Sequence, residues 1–444
     1  MTPQAPRSAA PAPASAPAPR RGVPRFTLRR RRAAPAPLSG GHRVALLQGS
    51  AELFAALVAD MDAALSDIQF ETYIFDCTGS GADIAEALIR AARRGVRVQL
   101  VVDGVGTGRL CPPWPERFEE AGVRMQVYSP LGPLGLLLPR RWRRLHRKLC
   151  VVDGCVLYCG GINVLDDLHD PNHGALESPR FDFAVRVEGR LVEEAGEAME
   201  QVWWRLQATR DARQHRLADL MRDLRAAAQA RQAERRAREA ASDGPTAAHG
   251  LRAGLLLRDN LRNRSRIERA YRRAIGNARH EVIIANAYFL PGRKLRHALV
   301  LAARRGVRVR LLLQGRYEYF MQYHAARPVY GALLAAGVEI HEYAPSFLHA
   351  KVAVIDAQGE RPWATVGSSN LDPLSMLLAR EANVVVEDAG FARVLRERLV
   401  DAMEHAGRRL DPQACGARPW GQRLRDRVAF ALMRLALWVT GSRY

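Results

Sequence analysis

Residues 145–163 read LHRKLCVVDGCVLYCGGIN, and residues 348–370 read LHAKVAVIDAQGERPWATVGSSN. Each opens His-x-Lys, runs through four residues and reaches an aspartate: His146, Lys148 and Asp153, then His349, Lys351 and Asp356. One His-x-Lys is ordinary in a chain this long. Two copies of so extended a spacing point to duplication. The residues around each histidine read as a strand, where residues two apart share a face, so each imidazole points the same way as its lysine. Asp153-Gly154, and Asp356 with Gly359, carry turn chemistry. The apolar runs at 156–159 and 363–366 read as returning strands of hairpins.

Brought face to face, the two copies hold two imidazoles and two ammonium groups, a set that suits an anionic phosphodiester. The lysines and the side chains of Asn163 and Asn370 are placed to stabilise charge on non-bridging oxygens. Ser368 joins the asparagines as a candidate substrate-binding or orienting residue. One neutral histidine attacks phosphorus; the other protonates the leaving alkoxide and later deprotonates an incoming alcohol. Histidine suits both tasks because its pKa lies near neutrality. The lysine pair does the work of a divalent cation, so this reading calls for no metal and no cofactor. Asp153 and Asp356 are carried with the catalytic candidates; in a second reading each only holds its hairpin.

The flanking sequence repeats as well. Residues 91–98 and 302–309 both read AARRGVRV, 211 residues apart, while the two histidines are 203 apart. In the first half the pattern predicts a helix at 52–65, a buried strand at 68–75, a helix at 82–94, a strand at 96–102, a helix at 115–121 and a strand at 123–128. The second half predicts a strand at 281–287, a helix at 294–305 and a strand at 307–313. Strands alternating with helices predict an α/β fold: two pseudo-symmetric halves, each a mixed sheet flanked by helices, with a composite site between them.

The chain has 444 residues, 67 Lys and Arg against 46 Asp and Glu, and a net charge of +21. Partners should be anionic, a phospholipid surface or nucleic acid. Six cysteines occur without a CxxC pair, which argues for a reducing compartment and against a zinc site. Residues 1–41 are Pro-, Ala- and Arg-rich and read as a disordered tail. The apolar stretch 131–139, followed by Arg140, Arg141, Trp142, Arg143 and Arg144, reads as an interfacial loop or a buried one. Residues 205–250 read as a helical connection and linker. Residues 425–440 are too short to span a bilayer and read as an interfacial amphipathic helix or a core helix.

The paired motif resembles that of the phospholipase D superfamily, His-x-Lys-x4-Asp. ANAYFLP at 285–291, the AARRGVRV runs and ATVGSSNLDPLS at 364–375 resemble the bacterial cardiolipin synthases of the type without an N-terminal membrane span. The resemblance covers residues 42 to about 440. It implies two phospholipase D-type halves, 42–204 and 251–424, with 425–444 as a C-terminal segment. It also implies that acids following each motif orient the imidazole across the interface: Asp182 toward His349, and Glu381 toward His146. A strand-edge charge is the alternative for each. Glu71, in the first buried strand with Asn286 as its counterpart by pattern, is a weaker site candidate. The implied reaction moves a phosphatidyl group from one phosphatidylglycerol to another, with His146 the favoured nucleophile. It takes place at the anionic cytoplasmic face of a bacterial inner membrane, without nucleic acid, and nothing in the sequence fixes an oligomeric state. A hydrolytic phospholipase D, a nucleic-acid phosphodiesterase and an inactive lipid-binding scaffold are the alternatives.

Overall fold

The structure, a computed structural model of the chain, describes residues 38–132, 135, 139–170, 173–213, 250–259, 263–316, 320–372, 375–413 and the single positions 421, 425, 428 and 431. The first half runs β1 (Ser39–Gln48), α1 (Gly49–Ala63), β2 (Asp67–Thr72), α2 (Gly81–Arg93), β3 (Arg97–Asp103), α3 (Trp114–Ala121), β4 (Arg124–Tyr128), β5 (Arg144–Leu145), β6 (Lys148–Val152), β7 (Val156–Gly160), β8 (His169–Asp170), β9 (Gly174–Ala175), β10 (Phe183–Glu188) and α4 (Leu191–Arg213). The second half runs β11 (Leu251–Arg258), α5 (Arg266–Asn277), β12 (Glu281–Asn286), α6 (Arg293–Arg304), β13 (Arg308–Gln314), α7 (Phe320–Leu334), β14 (Glu339–Tyr343), β15 (Lys351–Ile355), β16 (Trp363–Gly367), α8 (Ser375–Leu378), β17 (Ala379–Glu387), α9 (Ala389–His405) and β18 (Gly407–Arg409).

β1 and β11 lie antiparallel, with His42 opposite Leu251, and a continuous sheet grows outward from this seam. On one side come β10, β7, β6, β2, β3 and β4; on the other come β17, β16, β15, β12, β13, β14 and β18. The strands β2–β4 and β12–β14 are parallel within each set, and the motif hairpins β6–β7 and β15–β16 are antiparallel. Every residue of β6 and of β15 is buried, as expected for strands covered on both faces. On one face, Leu149 and Val151 of β6, Val352 and Val354 of β15, Leu191 and Ala195 of α4, and Leu395 and Leu399 of α9 form a single core that joins the halves. Burying each such leucine contributes about 1.5–3 kcal/mol. On the other face, α1 and α2 cover the first half and α5 and α6 the second.

The elements read from the sequence are present with ends shifted by a few residues. The helix expected at 52–65 starts at Gly49, whose φ of +73° lets the chain turn directly out of β1. The strand β1 takes in residues 39–41, and α4 begins well before the helical connection expected from residue 205. The tail to residue 37, most of the apolar loop at 131–139, residues 214–249 of the linker and most of 425–440 lie outside the described residues. Among the described residues no helix is long and apolar enough to cross a membrane.

The strand registers correct one pairing. Asp67 sits beside Arg97 as Glu281 sits beside Arg308, so Ala285 stands where Glu71 does, and Asn286 matches Thr72. Glu71 lies opposite Leu149, on the face that packs under α4, and its carboxylate is paired with Arg147, 2.9 Å from Nη2. Arg147 also donates to the Ala198 carbonyl of α4 at 3.0 Å. Glu71 therefore ties α4 to the sheet on the face away from Lys148, and is not a site residue.

Asp153 and Asp356 are also structural. Both sit at the hairpin turn with φ near +50° (49° and 48°), a conformation aspartate tolerates better than most residues. The Asp153 carboxylate accepts from the backbone N–H groups of Leu65, Ser66 and Asp67 at 2.8–2.9 Å. The Asp356 carboxylate accepts from those of Arg279, His280 and Glu281 at the same distances. Each clamps the turn to the helix–strand junction at the far end of the motif strand, five residues from its lysine. Both aspartates therefore leave the catalytic set: each carboxylate is engaged at the turn, at the opposite end of the motif strand from the lysine. Burial would raise the Asp153 pKa, but the amide donors hold it below the ordinary value. Its stabilisation is therefore present above the unfolded aspartate pKa of about 3.9 and fades as pH falls through the lower folded value. Asp153→Ala and Asp356→Ala should each lower unfolding stability by about 2 kcal/mol or more, since three donors lose a charged acceptor. Thermal or urea unfolding checks this, and a midpoint equal to the parent's would refute the clamp.

Candidate active site

Two backbone crossings build the site. β5 of the first half lies parallel to β17 of the second, and the His146 N–H donates to the Arg380 carbonyl at 3.1 Å. In mirror fashion Phe181 bridges Leu348: the Phe181 N–H donates to the Phe347 carbonyl at 3.0 Å and the His349 N–H to the Phe181 carbonyl at 2.9 Å. The next residue on each crossing strand is an acid. Glu381 oxygens lie 3.1 and 3.2 Å from His146 Nδ1, and Asp182 Oδ2 lies 2.7 Å from His349 Nδ1. Against an ionised carboxylate, Nδ1 carries the proton and donates, which leaves the Nε2 lone pair for chemistry.

Each acid has its own support. Ser368 Oγ donates to Glu381 Oε2 at 2.5 Å and accepts from the Ala382 N–H at 3.1 Å. Gly161 stands at the corresponding place in the first half because a Cβ there would lie 2.4 Å from Asp182 Oδ1. Asp182 Oδ1 accepts instead from the Phe183 N–H at 2.8 Å. Lys148 Nζ donates to the His146 carbonyl at 2.8 Å, and Lys351 Nζ donates to the His349 carbonyl and lies 3.7 Å from Asp182 Oδ2. Asn163 accepts from the Ile74 N–H at 3.2 Å, fastening the loop after β2; Asn370 is buried.

That loop carries a residue the sequence did not flag. The Tyr73 ring lies 4.9 Å from the His146 ring, and Lys148 Nζ sits 5.4 Å from its centroid. Ala287 holds the equivalent place in the second half, so the duplication gave no signal. Arg258 was also missed. It is buried, stands opposite Glu381 in the β11–β17 ladder, and donates to the Ala379 carbonyl at 2.8 Å. Burial pulls it down to about 10, opposed by Glu381 and Asp372. Gly49 occupies its position in the first half, where the cation beside Asp182 is Lys351 and no arginine stands opposite it in the ladder.

Four basic groups in one pocket cannot all keep their protons. The histidine side chains are 15% and 21% exposed. Burial first, then Lys148, lowers the His146 pKa; Glu381 opposes this. Burial, then Lys351 and Lys148, puts His349 well below the usual imidazole value. Burial and Lys351 bring Lys148 down to about 7. Burial raises Asp182 to about 6 against the pull of Lys351 and Lys148. Burial would raise Glu381 too, but His146, Lys148 and the Ser368 hydroxyl outweigh it. The cluster thus presents neutral imidazoles beside two lysines, of which Lys148 gives up its proton near neutral pH. Among the described residues no group of three or more His, Cys, Asp or Glu is arranged to hold a metal ion.

Comparison with known proteins agrees with this geometry. A family model described as cardiolipin synthase, PLD-like domain, matches residues 57–176 and again 271–402. The chain is 34% identical over 403 residues to cardiolipin synthase B of Escherichia coli K12, covering 89% of this chain and 88% of that protein. It is 30% identical over 378 residues to cardiolipin synthase A of Erwinia tasmaniensis, covering 83% of this chain and 72% of that protein. The crystal structure of phosphatidylserine synthase from Haemophilus influenzae has the same fold, with a TM-score of 0.63 over 90% of this chain and 96% of that one at 12% identity. Two pseudo-symmetric α/β halves that share one His-Lys pocket define the phospholipase D-like class. Within that class, the chain belongs to the cardiolipin synthase family.

The pocket's charge balance makes a measurable prediction. Imidazole NMR titration of the protein should place His146 and His349 below the ordinary midpoint of about 6.5. Lys148→Met removes a cation that lowers both, so both midpoints should rise. Unmoved midpoints would mean that the two halves do not share one electrostatic site.

Proposed function

We propose that this chain is a cardiolipin synthase that transfers a phosphatidyl group between two phosphatidylglycerol molecules at a membrane surface. The pairing of each imidazole with a buried acid from the other half carries this reading, and the curated relatives, named cardiolipin synthases, support its product. His146 is the nucleophile here: Glu381 stays ionised against its Nδ1–H, which keeps Nε2 electron-rich, and the Tyr73 ring holds the imidazole plane. His146 Nε2 attacks phosphorus, and the P–O bond to the glycerol headgroup breaks. His349, protonated once the bound phosphodiester anion raises its pKa, gives its proton to the departing glycerol oxygen. The headgroup hydroxyl of a second phosphatidylglycerol then surrenders its proton to His349 and attacks phosphorus. The P–N bond to His146 breaks and cardiolipin is released. Lys148 and Lys351 lie where the non-bridging oxygens gather charge. Asn163, Ser368 and Asn370 serve as positioning residues, Ser368 through Glu381. Docking on the cytoplasmic face of a bacterial inner membrane fits a substrate that stays in the bilayer. Hydrolysis is the second reading, because water in place of the acceptor hydroxyl would give phosphatidic acid from the same intermediate.

Purified protein given phosphatidylglycerol vesicles should yield cardiolipin and glycerol in equal amounts by lipid mass spectrometry. Phosphatidic acid as the main product would replace this reading with the hydrolytic one. His146→Ala and His349→Ala should each remove transfer to background with the fold retained by circular dichroism. Lys148→Met and Lys351→Met should each cost on the order of a hundredfold, as loss of a preorganised donor does. Turnover should survive excess chelator; loss in chelator and rescue by one divalent ion would overturn the lysine-based charge stabilisation.

A further inference from the structure

The two halves have the same fold but opposite outer charge. α1 carries three acids and no base, and α2 two of each. The matching helices of the second half carry four Arg and one acid on α5, and four Lys or Arg with no acid on α6. In the first half the cations are neutralised locally: Arg90 pairs with Asp62 at 2.8 Å and Arg117 with Glu86 at 2.6 Å. In the second half Arg264, Arg266, Arg269, Arg293, Lys294 and Arg296 are exposed or half-buried. Among the described residues, no carboxylate forms an ion pair with the side chain of any of the six, although Arg266 lies near enough to Glu194 to favour its charge and the Arg264 carbonyl accepts from Arg258 Nε at 3.1 Å.

Their placement follows from the topology. β11 ends at Arg258, opposite Glu381, and β12 ends at Asn286, opposite Lys351. α5 and α6 follow these strands, so both helices start at the end of the sheet that carries the active site. The six cations cluster on the loop and first turns there, where the helix dipoles add positive potential. The opposite helix ends lie at the Asp356 end of the sheet, with Arg304 closing α6 and Arg279, whose N–H donates to Asp356, just past α5. A helix of 12 residues puts them about 18 Å away.

We infer that this edge of the second half, at the N-terminal turns of α5 and α6, docks the protein on an anionic lipid bilayer and turns the active site toward it. The inference rests on the lipid substrate proposed above. In the first half α1 and α2 start at the same end of the sheet, but their first turns carry Glu52 and Asp83, so the attraction comes from the second half. Each cation near an anionic bilayer strengthens partition roughly fivefold, and the attraction decays over a Debye length of about 10 Å at 0.1 M salt.

The test compares Arg293→Glu/Lys294→Glu and Arg264→Glu/Arg269→Glu with a far-end control of equal charge change, Arg279→Glu/Arg304→Glu. Flotation uses vesicles of phosphatidylglycerol and phosphatidylcholine at 0.1 M salt. The two site-end variants should lose at least tenfold in binding, and the control much less. Turnover of monomeric short-chain phosphatidylglycerol should stay within about twofold of the parent in all three. Equal losses in the control would mean that net charge alone acts, and unchanged binding in the site-end variants would also overturn the inference. So would loss of binding to a short DNA with vesicle binding retained, or loss of monomeric turnover. A parent protein that floats on these vesicles yet forms no cardiolipin would sink the proposed reaction and leave the docking edge standing.

Discussion

The contact on which the site depends is a carboxylate from one half bonded to the imidazole of the other, made twice. Neither half can orient its own histidine, because the strand carrying each acid runs beside the opposite motif. Two short backbone crossings set that geometry. Each places the acid one residue past a carbonyl that already holds the neighbouring histidine N–H. A one-residue slip in either crossing would turn the acid to the other face. The core shared by β6, β15, α4 and α9 resists such a slip, since moving one half against the other would open a cavity among fully buried leucines.

The pocket then works by crowding. Two lysines and two histidines in a desolvated site lower one another's proton affinity, which yields neutral nucleophilic nitrogen near neutral pH without an external base. The two acids prevent the opposite outcome, a pocket too poor in protons to release a leaving group. They are not equivalent. Arg258 and Ser368 support Glu381, whereas Gly49 and Gly161 sit beside Asp182. Tyr73 against Ala287 is a third difference of the same kind. A duplicated fold has thus acquired different surroundings for its two histidines, and, on the outer helices, different charge for its two faces.

Much of this was legible in the residues. Short apolar runs and the AARRGVRV repeat marked the strands and helices of both halves, because strand and helix spacing are local properties. The histidines and lysines stood out because the same chemistry appears twice at one spacing. Asp153 and Asp356 stood out for the same reason, and of their two readings the hairpin one fits the structure: a turn aspartate that receives three amides repeats as faithfully as a reactive one. Glu71 misled because pattern alone placed it one residue out of register with Asn286, whereas strand pairing matches it to Ala285. Tyr73 and Arg258 have no repeated partner, so nothing in the sequence set them apart.

By itself, then, the sequence determined the two-fold α/β architecture and the inventory of reacting groups, since both follow from local spacing and residue chemistry. Which carboxylate meets which imidazole was expected by resemblance, but only strand pairing across the halves fixes it. The proton affinities of the cluster were also decided by the tertiary structure. Charge repulsion and desolvation depend on distances between residues some 200 positions apart in the chain, and no local pattern encodes those distances.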